Sequence, residues 1–238
     1  MQDSYFSFKQ FTVSQEKAAF RVTTDSVLLG AWADLTGAER VLDIGTGTGL
    51  LALMTAQRCE ARITAVEPDI YSFEEAQVNV ENSPWASRIV LINSTIQELI
   101  TEEGILFDSL ITNPPFFTAS LPNPDIRKAR ARHDLMLKPG ELLLAADRLL
   151  GKAGTLQLVL PVTEGALFMK TGEDFGFYCR RILRVKPNPA AAPRRLLMTL
   201  CREPVVVSED ATLVLETGAR HEYSEEYISL TKDFYLNM

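Results

Sequence analysis

The chain alternates short apolar runs with longer stretches of helical period. Arg40–Ile44 (RVLDI) is a nearly continuous apolar run that ends in glycines, and residues 50–57 after it have the spacing of a helix. The alternation continues with strands over Arg62–Val66 (RITAV), 88–92 and Phe107–Thr112, and with a two-faced helix over 72–82. A helix over 140–150, with leucines and alanines on one side, precedes a strand over 155–160. Strands that are apolar throughout and alternate with helices predict a largely parallel sheet covered on both faces. Beyond this point the pattern changes. Residues 178–185 and Arg195–Cys201 flank the Pro-rich stretch KPNPAAAP and predict an antiparallel pair. Residues 1–39 are expected to cap a core of 40–202, with 203–238 as a C-terminal extension of one domain, 1–238.

Composition adds limits. At 238 residues and 46% hydrophobic, the chain can bury a core without disulfides or a structural metal. Cys59, Cys179 and Cys201, with only His133 and His221 beside them, form neither a zinc spacing nor a disulfide framework. The start, MQDSYFSFKQ, has no signal-peptide pattern, and the longest apolar runs fall well short of the ~20 residues that span a bilayer. A reduced, cytoplasmic protein is expected.

The net charge of −7 argues against a nucleic-acid partner until its distribution is considered. Residues 59–109 carry ten acids against Arg62 and Arg88. Residues 178–202 carry Arg180, Arg181, Arg184, Lys186, Arg194, Arg195 and Arg202 with no acid, and Arg127, Lys128, Arg130 and Arg132 form a second basic run. One cationic face on an acidic molecule is the expectation.

The first chemical constellation is Asp43-Ile44-Gly45-Thr46-Gly47-Thr48-Gly49, directly after a predicted strand and opening a helix. Glycines there allow a sharp turn and the approach of a ligand where a Cβ would stand. The helix N-terminus offers free N–H groups to a carboxylate or phosphate. Glu67, at the end of the second core strand, is placed to accept from both hydroxyls of a ribose. Gly47-Thr48-Gly49-Leu50-Leu51-Ala52 loosely fits a dinucleotide loop. The D-x-G-x-G-x-G form instead resembles S-adenosylmethionine (SAM)-dependent methyltransferases.

The second constellation, Asn113-Pro114-Pro115-Phe116, decides between them. It follows the fourth strand, at the carboxyl end of the sheet where open α/β folds bind ligands. An exocyclic amino group is a poor nucleophile because its lone pair is conjugated into the ring. Accepting its two hydrogens on the Asn113 side-chain oxygen and the Pro114 carbonyl draws the nitrogen toward tetrahedral geometry. Pro115 removes a competing donor. Phe116 can stack on the base and hold it in line.

These residues resemble the fourth motif of the class I amino-methyltransferases. Further stretches narrow the resemblance: Phe8–Val13, Val22 with Thr24-Asp25, Leu28–Ala33, Ser83-Pro84-Trp85, Ala131-Arg132-His133 and the ending YSEEYISLTKDFYL. Together they are similar to the bacterial tRNA(Val) adenine-37 N6-methyltransferase family through nearly the whole chain. That resemblance implies a Rossmann-like fold with a seven-stranded mixed sheet, the seventh strand antiparallel. It implies methyl transfer from SAM to an adenine beside the anticodon of tRNA, by a monomer needing neither metal nor membrane. The catalytic set is then Asn113, Pro114, Pro115 and Phe116. The cofactor set is Thr24, Asp25, Asp43, Gly45, Thr46, Gly47, Gly49, Glu67, Ser94, Thr95 and Asn113. The RNA set is Arg127, Lys128, Arg130, Arg132, Lys186, Arg194 and Arg195.

Two departures stand out. Asn93-Ser94-Thr95 replaces the Asp that usually meets the cofactor's adenine amino group, so a hydroxyl or the Asn93 amide oxygen must accept that hydrogen bond. Phe116 stands where many relatives have Tyr. Thr24-Asp25 also reads as a helix N-cap, Phe6, Phe8 and Phe11 as packing of the cap, and His133 as structural. The alternatives are a protein-glutamine N5-methyltransferase, which would use the same N-P-P chemistry on an amide, and a non-catalytic RNA-binding module that retains SAM.

Overall fold

The structure is a computed structural model that describes residues 4–100, 104, 106–115, 137–205 and 207–238. Its centre is a sheet of eight strands: β3 (Arg40–Ile44), β4 (Arg62–Val66), β5 (Ile89–Ile92), β6 (Phe107–Thr112), β7 (Leu150–Pro161), β8 (Tyr178–Lys186), β9 (Arg195–Cys201) and β10 (Glu209–Val214). Across the sheet the order is β10-β8-β9-β7-β6-β3-β4-β5. Strands β5, β4, β3, β6 and β7 are mutually parallel, whereas β9 runs antiparallel to both β7 and β8. The seventh sheet strand in chain order is therefore the antiparallel one, as expected. The eighth corrects the expected count. Glu209–Val214 lies in the stretch read as a C-terminal extension, yet it pairs parallel to β8 and lengthens the sheet at its edge.

Period-two alternation along the strands divides the core. On β3, Val41 faces one apolar cluster while Leu42 and Ile44 face the other. On β7, Val159 faces the first, and Leu156, Leu158 and Leu160 face the second. Helices α1 (Thr24–Trp32), α2 (Leu50–Arg58) and α7 (Glu225–Thr231) cover the first face. Helices α4 (Ile96–Leu99), α5 (Pro139–Leu149) and α6 (Val162–Asp174) cover the second. Among the described residues no helix is long and apolar enough to cross a membrane.

The N-terminal cap is a two-stranded hairpin, β1 (Tyr5–Ser7) and β2 (Thr12–Ser14), followed by α1. Phe6, Phe8 and Phe11 pack with one another, with Tyr235 and with Trp85, which is the packing role expected of them. Helix α3 (Ile70–Glu81) clasps the segment that follows the hairpin. The buried Glu75 carboxylate accepts from Ser14 Oγ and from the N–H groups of Glu16, Lys17 and Ala18. Asn79 donates to the carbonyls of Ser14 and Thr48, tying the cap to the glycine-rich turn.

Helix α1 is held at both ends. At its C-terminus Arg58 donates to the carbonyls of Gly30 and Ala33, and the buried Gln157 exchanges hydrogen bonds with the Asp34 backbone. At its N-terminus the cap is Thr23, whose hydroxyl accepts from Ser26 N–H at 3.2 Å. This corrects the capping role read for Thr24-Asp25 by one residue, because Thr24 already opens the helix.

Candidate active site at the carboxyl end of the sheet

Because β3, β4, β5 and β6 are parallel, their carboxyl ends bring four segments to one edge. These are Gly45–Gly49 after β3, Glu67 after β4, Asn93 after β5 and Asn113 after β6. The turn after β3 needs glycine. Gly45, Gly47 and Gly49 have φ of 69°, 57° and 82°, left-handed values that cost an L side chain about 1–2 kcal/mol each. The N–H groups of Gly45 and Thr46 both donate to the Val66 carbonyl, which folds the turn over the end of β4. A Cβ added at Gly45 or Gly47 would meet nothing within 4 Å, so the turn borders open space.

Two carboxylates lie beneath this turn. Asp43 is fully buried, and Thr46 Oγ1 donates to its Oδ2 at 2.5 Å. Its Oδ1 is buried and turned toward the backbone at Ala52 in the first turn of α2. Glu67, 4% exposed, accepts from Gly47 N–H at 2.8 Å through Oε2 and from Asp69 N–H at 3.0 Å through Oε1. Burial raises both carboxyls to about 7, against the hydrogen bonds that pull them down. A carboxylate can accept up to about four hydrogen bonds, so Glu67 retains capacity for a ligand hydroxyl.

At the end of β5, Thr95 caps α4 and accepts from Glu98 N–H, while Ser94 Oγ donates to the Glu98 carboxylate. Thr95 and Glu98 thus form a capping box, and Ser94 spends its proton on the same carboxylate while its lone pairs stay available. Asn93 is exposed, and its Nδ2 donates to the carbonyls of Glu67 and Pro68. Its Oδ1, without a partner among the described residues, and Ser94 Oγ are the available acceptors of this segment.

At the end of β6, Thr112 Oγ1 donates to the Ile44 carbonyl at 2.8 Å, locking this strand end beside the glycine turn. Asn113 Nδ2 donates to Ser26 Oγ at 2.8 Å, and Asn113 Oδ1 has no partner among the described residues. Ser26 was not legible as a site residue, because 87 positions separate it from Asn113. Pro114 and Pro115 follow, whereas Phe116 and the basic run Arg127, Lys128, Arg130 and Arg132, with His133, lie outside the described residues.

The second basic stretch is largely neutralised by acids from elsewhere in the chain. Arg181 pairs with Glu209 at 2.6 Å and lies over the Trp32 ring, and Arg184 pairs with Asp210. Arg202 pairs with Asp147 at 2.8 Å. Arg195 Nε binds Asp25 Oδ2 at 2.7 Å, joining a residue read as an RNA contact to one read as a cofactor contact. Lys186 Nζ donates to the Pro189 carbonyl. Arg194 is exposed and has no ion-pair partner among the described residues.

Comparison with known proteins agrees with this geometry. The family model for the methyltransferase small domain matches residues 18–167. A tRNA1(Val) (adenine(37)-N6)-methyltransferase of Parabacteroides distasonis is 41% identical over 238 residues, covering all of both chains. One of the same name from Trichodesmium erythraeum is 44% identical, covering 99% of each. In fold, the chain is similar to a predicted O-methyltransferase from Agrobacterium tumefaciens, at 19% identity and a TM-score of 0.65 over 88% of this chain and 96% of that one. The chain therefore belongs to the tRNA1(Val) (adenine(37)-N6)-methyltransferase family and carries its Rossmann-like methyltransferase fold.

Proposed function

We propose that this protein methylates the N6 amino group of an adenine in tRNA, adenine 37 beside the anticodon of tRNA(Val), using SAM as the donor. The observation that carries the reading is Asn113 Oδ1, without a partner among the described residues, whose Nδ2 is committed to Ser26, one strand away from the glycine turn. SAM supplies a methyl group already activated by a positively charged sulfur. The residues present fit such a ligand: Gly45 and Gly47 border open space, and the Glu67 carboxylate beside them accepts only two hydrogen bonds among the described residues. Glu67 would hold the ribose hydroxyls, and Asn93 Oδ1 or the Ser94 hydroxyl would accept from the adenine amino group.

The chain's own part in the chemistry is orientation and hydrogen-bond acceptance. Asn113 Oδ1 and the Pro114 carbonyl accept the two N6 hydrogens of the target adenine. This localises the nitrogen lone pair, which forms the new N–C bond as the sulfur–carbon bond breaks. The extra proton on nitrogen then leaves to water, so no strong base is needed. Phe116 would stack on the base. Arg194 and the run at 127–132 would hold RNA phosphates, contacts that position the substrate without reading its sequence.

The test is transfer of labelled methyl from SAM, offered unmodified total tRNA and a glutamine-containing protein acceptor side by side. Label recovered as N6-methyladenosine in tRNA supports the reading. Label on a glutamine amide, or binding of tRNA and SAM with no transfer, contradicts it.

A further inference from the structure

We propose that Ser26 is a positioning residue that sets which end of the Asn113 amide faces the target amino group, an inference that rests on the role proposed above for Asn113. A primary amide has oxygen and NH2 ends of nearly equal size, and its chemistry here depends on which one points outward. With Oδ1 outward, the amide accepts an N6 hydrogen. With Nδ2 outward, it presents donors to a donor, and the target lone pair stays in the ring.

The surrounding backbone leaves this rotation as the freedom that matters. Thr112 is fixed to Ile44 on one side, and two prolines stiffen the chain on the other. Packing therefore places the Asn113 side chain without choosing between its ends, and a hydrogen bond must choose. Ser26 Oγ lies 2.8 Å from Asn113 Nδ2 and 3.1 Å from Thr23 Oγ1. A hydroxyl has one proton and two lone pairs. When Ser26 gives its proton to Thr23 Oγ1, it has only lone pairs to offer Asn113, and those select Nδ2. The serine itself is held in place. It sits in the first turn of α1, its N–H bonds Thr23 Oγ1, and its neighbour Asp25 is tied to Arg195. Thr23, Ser26 and Asn113 thus form a short relay from a helix cap to the reacting edge of the sheet.

The experiment measures kcat for tRNA methylation and SAM affinity by calorimetry for Ser26→Ala, Ser26→Thr, Asn113→Ala and the Ser26→Ala/Asn113→Ala double variant. Ser26→Ala should lower kcat about three- to tenfold, the worth of one neutral hydrogen bond, with SAM affinity unchanged. Ser26→Thr, which restores the hydroxyl, should recover most of that loss. The double variant should be no slower than Asn113→Ala alone, since Ser26 acts only through Asn113. Wild-type turnover in Ser26→Ala beside a crippled Asn113→Ala would overturn the inference and leave the role of Asn113 standing. An equal loss in Ser26→Thr, or an additive loss in the double variant, would make Ser26 merely structural and also overturn it. Normal turnover in Asn113→Ala would remove the reading beneath it.

Discussion

Arg195 Nε lies 2.7 Å from Asp25 Oδ2, so the strand that follows the Pro-rich turn is tied to the helix turn that carries Ser26. The pair is partly buried, at 31% and 19% side-chain exposure, and Arg195 Nη1 also donates to the Arg194 carbonyl. Two adjacent arginines therefore differ in their surroundings. Arg194 is exposed without an ion-pair partner among the described residues, and Arg195 is paired with Asp25.

A salt titration of tRNA binding separates them. Arg194→Ala should flatten the slope of log K against log[salt] by about 0.7–0.9, the value of one lost phosphate contact. Arg195→Ala should leave that slope unchanged while lowering stability by about 1 kcal/mol, as for a partly buried ion pair. Equal slopes for Arg194→Ala and wild type would leave Lys186 and the run at 127–132 as the remaining cationic candidates.

Gly47→Ala tests whether the open space above the turn is a ligand site. With nothing within 4 Å of the added Cβ, the variant should lose only the cost of a left-handed alanine, about 1–2 kcal/mol. SAM affinity should fall further, by tenfold or more, because the methyl group occupies space the ligand needs; tenfold corresponds to about 1.4 kcal/mol. Unfolding curves and calorimetry on the same variant give both numbers. Undiminished SAM binding would place the cofactor elsewhere.

The buried Glu67 predicts a pH dependence of known sign. Its carboxyl rises from 4.5 to about 7 on folding, mainly through desolvation. Between those values the unfolded chain has lost the proton and the folded chain keeps it, so the ligand-free protein loses stability as pH rises. Near pH 4 the Glu67 contribution does no harm, and above about 7 its penalty is complete, at about 3 kcal/mol. Relative to Glu67→Gln, wild type should therefore weaken as pH increases across this window in denaturant melts. A constant difference between the two proteins would show that Glu67 ionises freely in the fold.

Asn113→Ala should reduce kcat by about 10²–10³, comparable to the loss of one donor that stabilises a transition state. SAM affinity should fall far less than kcat, because the contact that matters for chemistry is made to the target amine. Single-turnover rates with calorimetry on the same preparation distinguish this outcome from general damage to the site.

Much of this arrangement could be read from the chain because the core strands are apolar runs ending at glycines or at Asn113. Their parallel order follows from the intervening helices. The ion pairs of the basic stretch were hidden for a physical reason: their acids, Asp25, Asp147, Glu209 and Asp210, lie outside residues 178–202 and reach it only through the fold. Strand β10 was hidden in the same way. It opens with Glu209 and Asp210, acids that suit an edge next to Arg181 and Arg184 but that break an apolar strand pattern. Asn93 and Ser94 were readable as acceptors, whereas the capping box that engages Thr95 depends on the fold of α4.

The most direct measurement is positional mapping of methyl transfer on an unmodified tRNA(Val) transcript incubated with SAM and the wild-type protein. N6-methyladenosine is expected at adenine 37, and none when that adenine is replaced by guanine. Methylation at another nucleotide, or methylated product that persists after the replacement, would contradict it.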